Sequence, residues 1–266
     1  MSTTRSHDGT PIGYTAIGSG PAIVMVMGAT QFRGIDPSAV ALGRILSDRF
    51  TFVIYDRRGR GESGDTQPYA VAREIEDIAA VIEAVGGEAS LYGSSSGSVL
   101  AIEAAAAGLP ITNLVLYEPP FRVDPDDPLR TPADYLTTLE GHIARGDRGA
   151  AATHFMHYVG MPADHIEGMK QSEFWPVLEA IAPTLAYDAR VMTDAYRDGQ
   201  FPARWQRVTQ PTLVVTGDQT FPFIPASVAA VTASLPRARS ITLAGQGHGP
   251  SPDAIAPVLA EFMGSD

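Results

Sequence analysis

One serine in this chain has neighbours that could turn it into a nucleophile. The stretch Ala89-Ser-Leu-Tyr-Gly-Ser-Ser-Ser-Gly-Ser-Val-Leu-Ala101 runs from an apolar segment into an alanine-rich one. Its Gly93-Ser94-Ser95-Ser96-Gly97 has the spacing G-x-S-x-G, and only Ser95 can be the central serine. A strand that turns at once into a helix holds the residue at the turn in a strained conformation and lifts its side chain above the sheet edge. Side chains at Gly93 or Gly97 would collide with the crossing backbone. A serine hydroxyl at neutral pH still needs a base to take its proton. That base needs a third group to hold its tautomer and stabilise its charged form. His248 is the candidate base, because it alone among the six histidines lies in a late strand-end loop, Gly245-Gln-Gly-His-Gly-Pro250. His7 is near the start, and His142, His154, His157 and His165 lie in the middle of the chain.

An acyl-transfer nucleophile also needs donors for the oxyanion. In a dry site one donor is worth about 3 kcal/mol. The backbone N–H of Ser96 qualifies, at a helix N-terminus where the dipole helps.

The elements that must position these groups follow from apolar patterning. Pro11–Ile17 alternates and reads as a strand, paired through Asp8-Gly9 with Met1–His7. Ala22–Met27, Phe50–Tyr55, the strand before Ser95, Asn113–Tyr117, Pro211–Thr216 and Arg239–Ala244 read as strands, the early ones as continuous apolar runs buried on both faces. Helices are expected from Asp36-Pro37 onward, over Tyr69–Val85, after Ser95, over Ala226–Leu235 and over Asp253–Phe262. The alternation predicts a mostly parallel sheet covered by helices on both faces, with ligands at the carboxyl ends of the strands. Residues 121–202 interrupt it with a helical pattern and no convincing strand. The chain therefore divides into a core, 1–120 and 203–266, and a helical insertion, 121–202.

Composition bounds the partners. The 266 residues carry a formal net charge of −11, which disfavours nucleic acid and anionic membranes. No cysteine is present, which removes disulfides, zinc–thiolate sites and a cysteine nucleophile. No apolar run approaches the roughly 20 residues needed to span a bilayer. A soluble cytoplasmic protein acting on a small-molecule substrate is expected, without nucleic acid or membrane as partner; a homodimeric state stays open. Arg57-Arg-Gly-Arg60 could be an anion patch or a structural loop. His154 and His157 share a helix face but lack an evident acidic third ligand, so no metal site is expected.

The order of strand and oxyanion loop, D-R-R-G-R-G-E-S (56–63), G-S-S-S-G (93–97), helical insertion, T-G-D (216–218) and Q-G-H (246–248) resembles the α/β-hydrolase family. The resemblance covers nearly the whole chain outside the insertion, which corresponds to that family's variable lid. It implies an α/β-hydrolase fold, a triad of Ser95, His248 and an acid, and no cofactor. Most members place the acid after the strand following the lid, as Gly, two residues, then Asp; here Thr220 occupies that position and Asp218 comes two residues early. A smaller set, including haloalkane dehalogenases and the zearalenone-lactonase type, uses a glutamate after the strand preceding the lid, where this chain has Glu118. Both carboxylates stay open, with chain order and strand-end position favouring Glu118. Pro119 is expected to bias Glu118 towards an extended backbone. Family members often carry His-Gly in the oxyanion loop; this chain has Met27-Gly28, and the second donor is assigned to Ala29.

The resemblance implies a serine hydrolase of an ester or lactone of an apolar, small to medium substrate. The same fold also hosts cofactor-free lyases or rearrangement catalysts and ligand receptors. Phe155, Met156, Tyr158, Met161, Phe174, Trp175, Tyr187, Phe221 and Phe223 are candidates for an apolar pocket, with Trp175, Met156 and Phe221 as the expected substrate contacts.

Overall fold

The computed structural model describes residues 2–127 and 133–264. In chain order they form β1 (Ser2–Arg5), β2 (Pro11–Gly18), β3 (Ala22–Val26), α1 (Pro37–Leu46), β4 (Thr51–Tyr55), α2 (Val71–Ala84), β5 (Ala89–Ser94), α3 (Ser96–Ala106) and β6 (Ile111–Tyr117). There follow α4 (Ala133–Ala144), α5 (Arg148–Tyr158), α6 (Ala163–Met169), α7 (Trp175–Ile181), α8 (Leu185–Ala195), β7 (Thr212–Gly217), α9 (Ile224–Ser234), β8 (Ala238–Leu243) and α10 (Pro252–Phe262).

The strands make one sheet of eight in the order β1-β2-β4-β3-β5-β6-β7-β8. β2 pairs antiparallel with β1 and β4, and every other neighbouring pair is parallel. The expected hairpin forms: Gly9 takes φ +85° and the Asp8 carboxylate accepts from the Thr10 N–H at 3.0 Å. Met1, at its start, lies outside the described residues.

The apolar runs are buried on both faces because successive side chains alternate. Val24 and Val26 face a core closed by α2, α3 and α9, while Ile23, Met25 and Met27 face a second core closed by α1 and α10. The α1 start is as expected: Pro37 sits in the first turn and the Asp36 side chain accepts from the Ala39 N–H at 3.1 Å. All of α3 is buried, and its run of alanines lets it lie close against the sheet. Between β6 and β7 lie the five helices α4 to α8, with an isolated bridge at Arg197 and Gln200 but no strand among the described residues.

The turn into α3 is crowded enough to exclude any side chain. A Cβ on Gly97 would lie 2.1 Å from the Val26 carbonyl oxygen, and one on Gly93 would lie 2.5 Å from the Ser98 Cα. Gly97→Ala is therefore expected to destabilise the fold by about 2–3 kcal/mol in chemical denaturation, since backbone must move. Gly168→Ala, where a Cβ meets nothing within 4 Å, is expected to be neutral or slightly stabilising.

Candidate active site

Ser95 stands between β5 and α3 with φ +53° and ψ −127°, a conformation sparsely populated outside glycine. Its own N–H donates to the Tyr117 carbonyl at 2.9 Å, and the Ser98 hydroxyl bridges the Gly93 and Tyr117 carbonyls at 2.8 and 3.0 Å. The strained turn is thus tied on both sides to the neighbouring strand β6.

That strand is followed directly by Glu118, whose backbone N–H donates to the Val215 carbonyl. Contrary to the extended backbone expected before Pro119, Glu118 has φ +48°. This sharp turn at the strand end accompanies a fully buried carboxylate. Glu118 Oε1 accepts from the Gly217 N–H at 2.8 Å and the Thr216 hydroxyl at 3.1 Å; Oε2 accepts from the Thr220 hydroxyl at 2.7 Å. His248 Nδ1 lies 2.6 Å from Glu118 Oε2, and His248 Nε2 lies 3.0 Å from Ser95 Oγ. Burial alone pushes the Glu118 pKa up, but the hydrogen bonds from His248, Gly217 and Thr220 outweigh it and hold the carboxyl below its ordinary value. An ionised Glu118 fixes the tautomer: Nδ1 carries the proton and donates it to Oε2, leaving the Nε2 lone pair for the serine hydroxyl.

Asp218 does not compete. It is exposed, and its Oδ1 accepts from the Gly245 N–H at 2.7 Å, so it braces the base of the histidine loop. Thr220, in the position where most relatives would carry the acid, instead donates to Glu118. The tip of the histidine loop is held by the Tyr117 hydroxyl, which donates to the Gly247 carbonyl at 2.5 Å, and Phe221 stands edge-on to the imidazole with centroids 5.4 Å apart.

Ser96 is the first residue of α3, so its N–H has no partner within the helix. Opposite it, the Gly28 N–H donates to Gln31 Oε1 at 2.9 Å, and the next residue, Ala29, lines the cavity. Ala29, Ser95, Ser96 and His248 open together into a cavity of about 550 Å³, walled on its far side by α4, α5 and α8.

Residues 23–261 match the alpha/beta hydrolase family. The chain belongs to that family. A solved alpha/beta hydrolase from Sphaerobacter thermophilus is 47% identical, with a TM-score of 0.88 over 98% of this chain and 100% of its own. The 2-(acetamidomethylene)succinate hydrolase of Mesorhizobium japonicum is 26% identical over 258 residues, 92% of this chain and 89% of that protein. The enol-lactonase from Burkholderia xenovorans, 17% identical with a TM-score of 0.66 over 99% of this chain and 100% of its own, shares the fold. No helix among the described residues is long and apolar enough to cross a membrane.

In this hydrolase the cavity wall carries Phe155, Met156, Tyr158, Met161, Phe221 and Phe223 as expected. Trp175 does not reach it. The indole belongs to a buried cluster with Ala152, Ile166, Leu178 and Ile181, and its Nε1 donates to Glu179 at 3.0 Å. Met156 belongs to the same cluster, and α7, which carries Trp175, packs against α5 and adds no residue to the cavity wall. Phe174 is exposed, and the Tyr187 ring stacks on Tyr69 at 3.8 Å. Sequence reasoning missed Tyr135, Met192, Tyr196 and Arg122, which also line the cavity. Their spacing carries no distinctive signal; only the adjacency of Arg122 to the Glu118-Pro-Pro turn could have raised it.

The arginine loop is structural. Arg57, Arg58 and Arg60 are all buried. Arg57 pairs with Glu74 and Asp188, Arg58 with Asp77 and Asp8, and Arg60 with Asp188. His154 Nε2 lies 3.2 Å from the Tyr135 carbonyl, and no cluster of three or more His, Asp or Glu suited to a metal occurs among the described residues.

Proposed function

We propose that the chain hydrolyses a carboxylic ester or lactone of an apolar, small to medium substrate through an acyl-enzyme. The observation that carries this reading is the relay from Ser95 through His248 to a buried, ionised Glu118, opening onto a largely apolar cavity. The cavity volume of about 550 Å³ falls within the 300–1,000 Å³ typical of small-molecule sites. Four methionines, Met156, Met161, Met169 and Met192, give it an adaptable wall. Arg122, a cation at this wall, is engaged by Asp127 at 2.8 Å and lies over the Phe223 ring at 4.1 Å. That arrangement favours an apolar acyl group over a carboxylated one. The likeness to the 2-(acetamidomethylene)succinate hydrolase of Mesorhizobium is in keeping with hydrolysis.

In this reading Ser95 Oγ attacks the carbonyl carbon while His248 Nε2 takes its proton. The imidazolium formed is stabilised by Glu118. The tetrahedral oxyanion sits between the N–H groups of Ser96 and Ala29. On collapse, His248 returns the proton to the departing alkoxide, which in a lactone stays tethered to the acyl chain. Water, activated by the same histidine, then releases the acid. Residues 121–202 serve as the lid that shields the acyl-enzyme and selects the substrate.

A fluorophosphonate is expected to label the folded protein at Ser95, located by peptide mapping, and p-nitrophenyl butyrate or an apolar lactone is expected to turn over. Failure of the folded protein to label overturns the reading of Ser95 as an activated nucleophile. Labelling without turnover of any ester or lactone removes hydrolysis and leaves a lyase or a receptor.

A further inference from the structure

Asp188, on α8, is a buried carboxylate that the relay above does not use. Its Oδ1 accepts from the Ser96 hydroxyl at 2.7 Å and from Arg57 Nη1 at 2.5 Å, and its Oδ2 accepts from Arg60 Nη2. The two arginines continue into the oxyanion loop: Arg60 Nη1 donates to the Gly28 carbonyl at 2.7 Å, and Arg57 Nη1 to the Met27 carbonyl at 3.3 Å.

The Gly28 carbonyl belongs to the same peptide unit as the Ala29 N–H. A trans peptide is planar, with its C=O and N–H pointing opposite ways. Holding the Gly28 oxygen against Arg60 therefore aims the Ala29 N–H away from that arginine. On the other side, the Ser96 hydroxyl ties to Asp188 the very residue whose backbone supplies the second donor. One carboxylate from the inserted helices thus touches both halves of the oxyanion hole, through Arg60 on one side and Ser96 on the other. Burial pushes the Asp188 pKa up, but Arg57, Arg60 and the Ser96 hydroxyl hold it below its ordinary value, so the group is ionised. It cannot serve as a proton donor, and its role is geometric.

We propose that Asp188 is the positioning residue of the oxyanion hole, setting the Ala29 and Ser96 donors together from α8. The inference rests on the hydrolase reading above. Its consequence is that cavity shape and oxyanion geometry share one helix, since Asp188 itself, Ala189, Met192 and Thr193 of α8 line the cavity.

The test uses Ser96→Ala, which removes the hydroxyl but keeps the backbone donor and both arginine pairs, and Asp188→Asn, which removes the charge. With p-nitrophenyl butyrate, kcat is expected to fall about tenfold or more in Ser96→Ala and further in Asp188→Asn, with KM little changed. A boronic acid, whose adduct on Ser95 places an oxygen in the hole, should lose affinity by the same factor as kcat/KM. The control is Asp77→Asn, which strips the buried pair of Arg58 in the same loop without touching the Met27 or Gly28 carbonyls. It should lower Tm and leave kcat unchanged. The proposal is overturned if folded Ser96→Ala and Asp188→Asn keep the wild-type kcat, if only KM rises, or if kcat falls in Asp77→Asn as far as in the others. Should Asp188→Asn fail to fold, Ser96→Ala decides alone. Wild-type protein that neither labels nor turns over ester removes the hydrolase reading itself; an active wild type with unaffected variants removes only the role of Asp188.

Discussion

Ser95→Ala is expected to lower kcat for a p-nitrophenyl ester by about five to six orders of magnitude, the scale seen when a triad serine is removed elsewhere. Alanine fits where serine stood, because the strained φ and the clash-free glycines on either side are properties of the backbone. The fold and the cavity should survive, and thermal unfolding should be nearly unchanged. What disappears is the hydroxyl that lies 3.0 Å from His248 Nε2. A residue of activity above the uncatalysed rate should persist, because the Ser96 and Ala29 donors and the cavity remain and His248 can still activate water. The measurement is initial-rate kinetics with an active-site titration to exclude wild-type contamination. Activity within tenfold of wild type would place the nucleophile elsewhere.

The second large effect concerns the carboxylate. Glu118→Gln is expected to lower kcat by about three to four orders of magnitude, by analogy with amide replacement of a triad acid, whereas Asp218→Asn should change it less than about twofold. The reason is the tautomer. Glutamine at position 118 is isosteric, but it cannot bias the imidazole towards an Nδ1 proton by charge, nor stabilise the imidazolium. If its amide nitrogen turns towards His248, it forces the proton onto Nε2, where it faces Ser95 Oγ and blocks proton removal. Asp218 carries no such burden: its contact is with the Gly245 N–H. The reverse pattern would mean that Thr220 and Glu118 are merely a packing arrangement and that the histidine loop rearranges to reach Asp218. Both variants should be checked for native Tm, because Glu118 is buried with four polar partners, and a loss of folding would mimic a loss of catalysis.

Much of this was legible in the chain itself. Alternating apolar runs and helical spacing are local signals, so the parallel sheet, the hairpin across Asp8-Gly9, the helix capped by Asp36 and the strand-free stretch before residue 203 could all be placed from them. So could the demand for glycine at positions 93 and 97, since a strand-to-helix turn leaves no room for a Cβ wherever it occurs. Ser95 and His248 could be named as candidates because strand ends and loops have fixed places in such a sheet, and Glu118 because the resemblance to relatives with a glutamate after the strand preceding the insertion pointed to it. The acid, however, stood open between two carboxylates, and the expected contact Trp175 lies on α7, which adds nothing to the cavity wall.

What only the tertiary structure decided are contacts between residues far apart in sequence. Ser95 and His248 are separated by 153 positions, Glu118 and Thr220 by 102, and Ser96 and Asp188 by 92. No local periodicity encodes which loop carboxylate reaches an imidazole, because that depends on how far each strand extends and which way its last residue turns. Glu118 reaches His248 by leaving β6 at a positive φ that its proline neighbour argued against, and Trp175 is buried on α7, which packs on α5 and stays off the cavity wall. The three arginines after β4 look like a surface charge cluster in sequence. They are buried because carboxylates from Asp8, α2 and α8 converge on them, and one of those carboxylates, Asp188, ties the helices over the cavity to the residues beside the nucleophile.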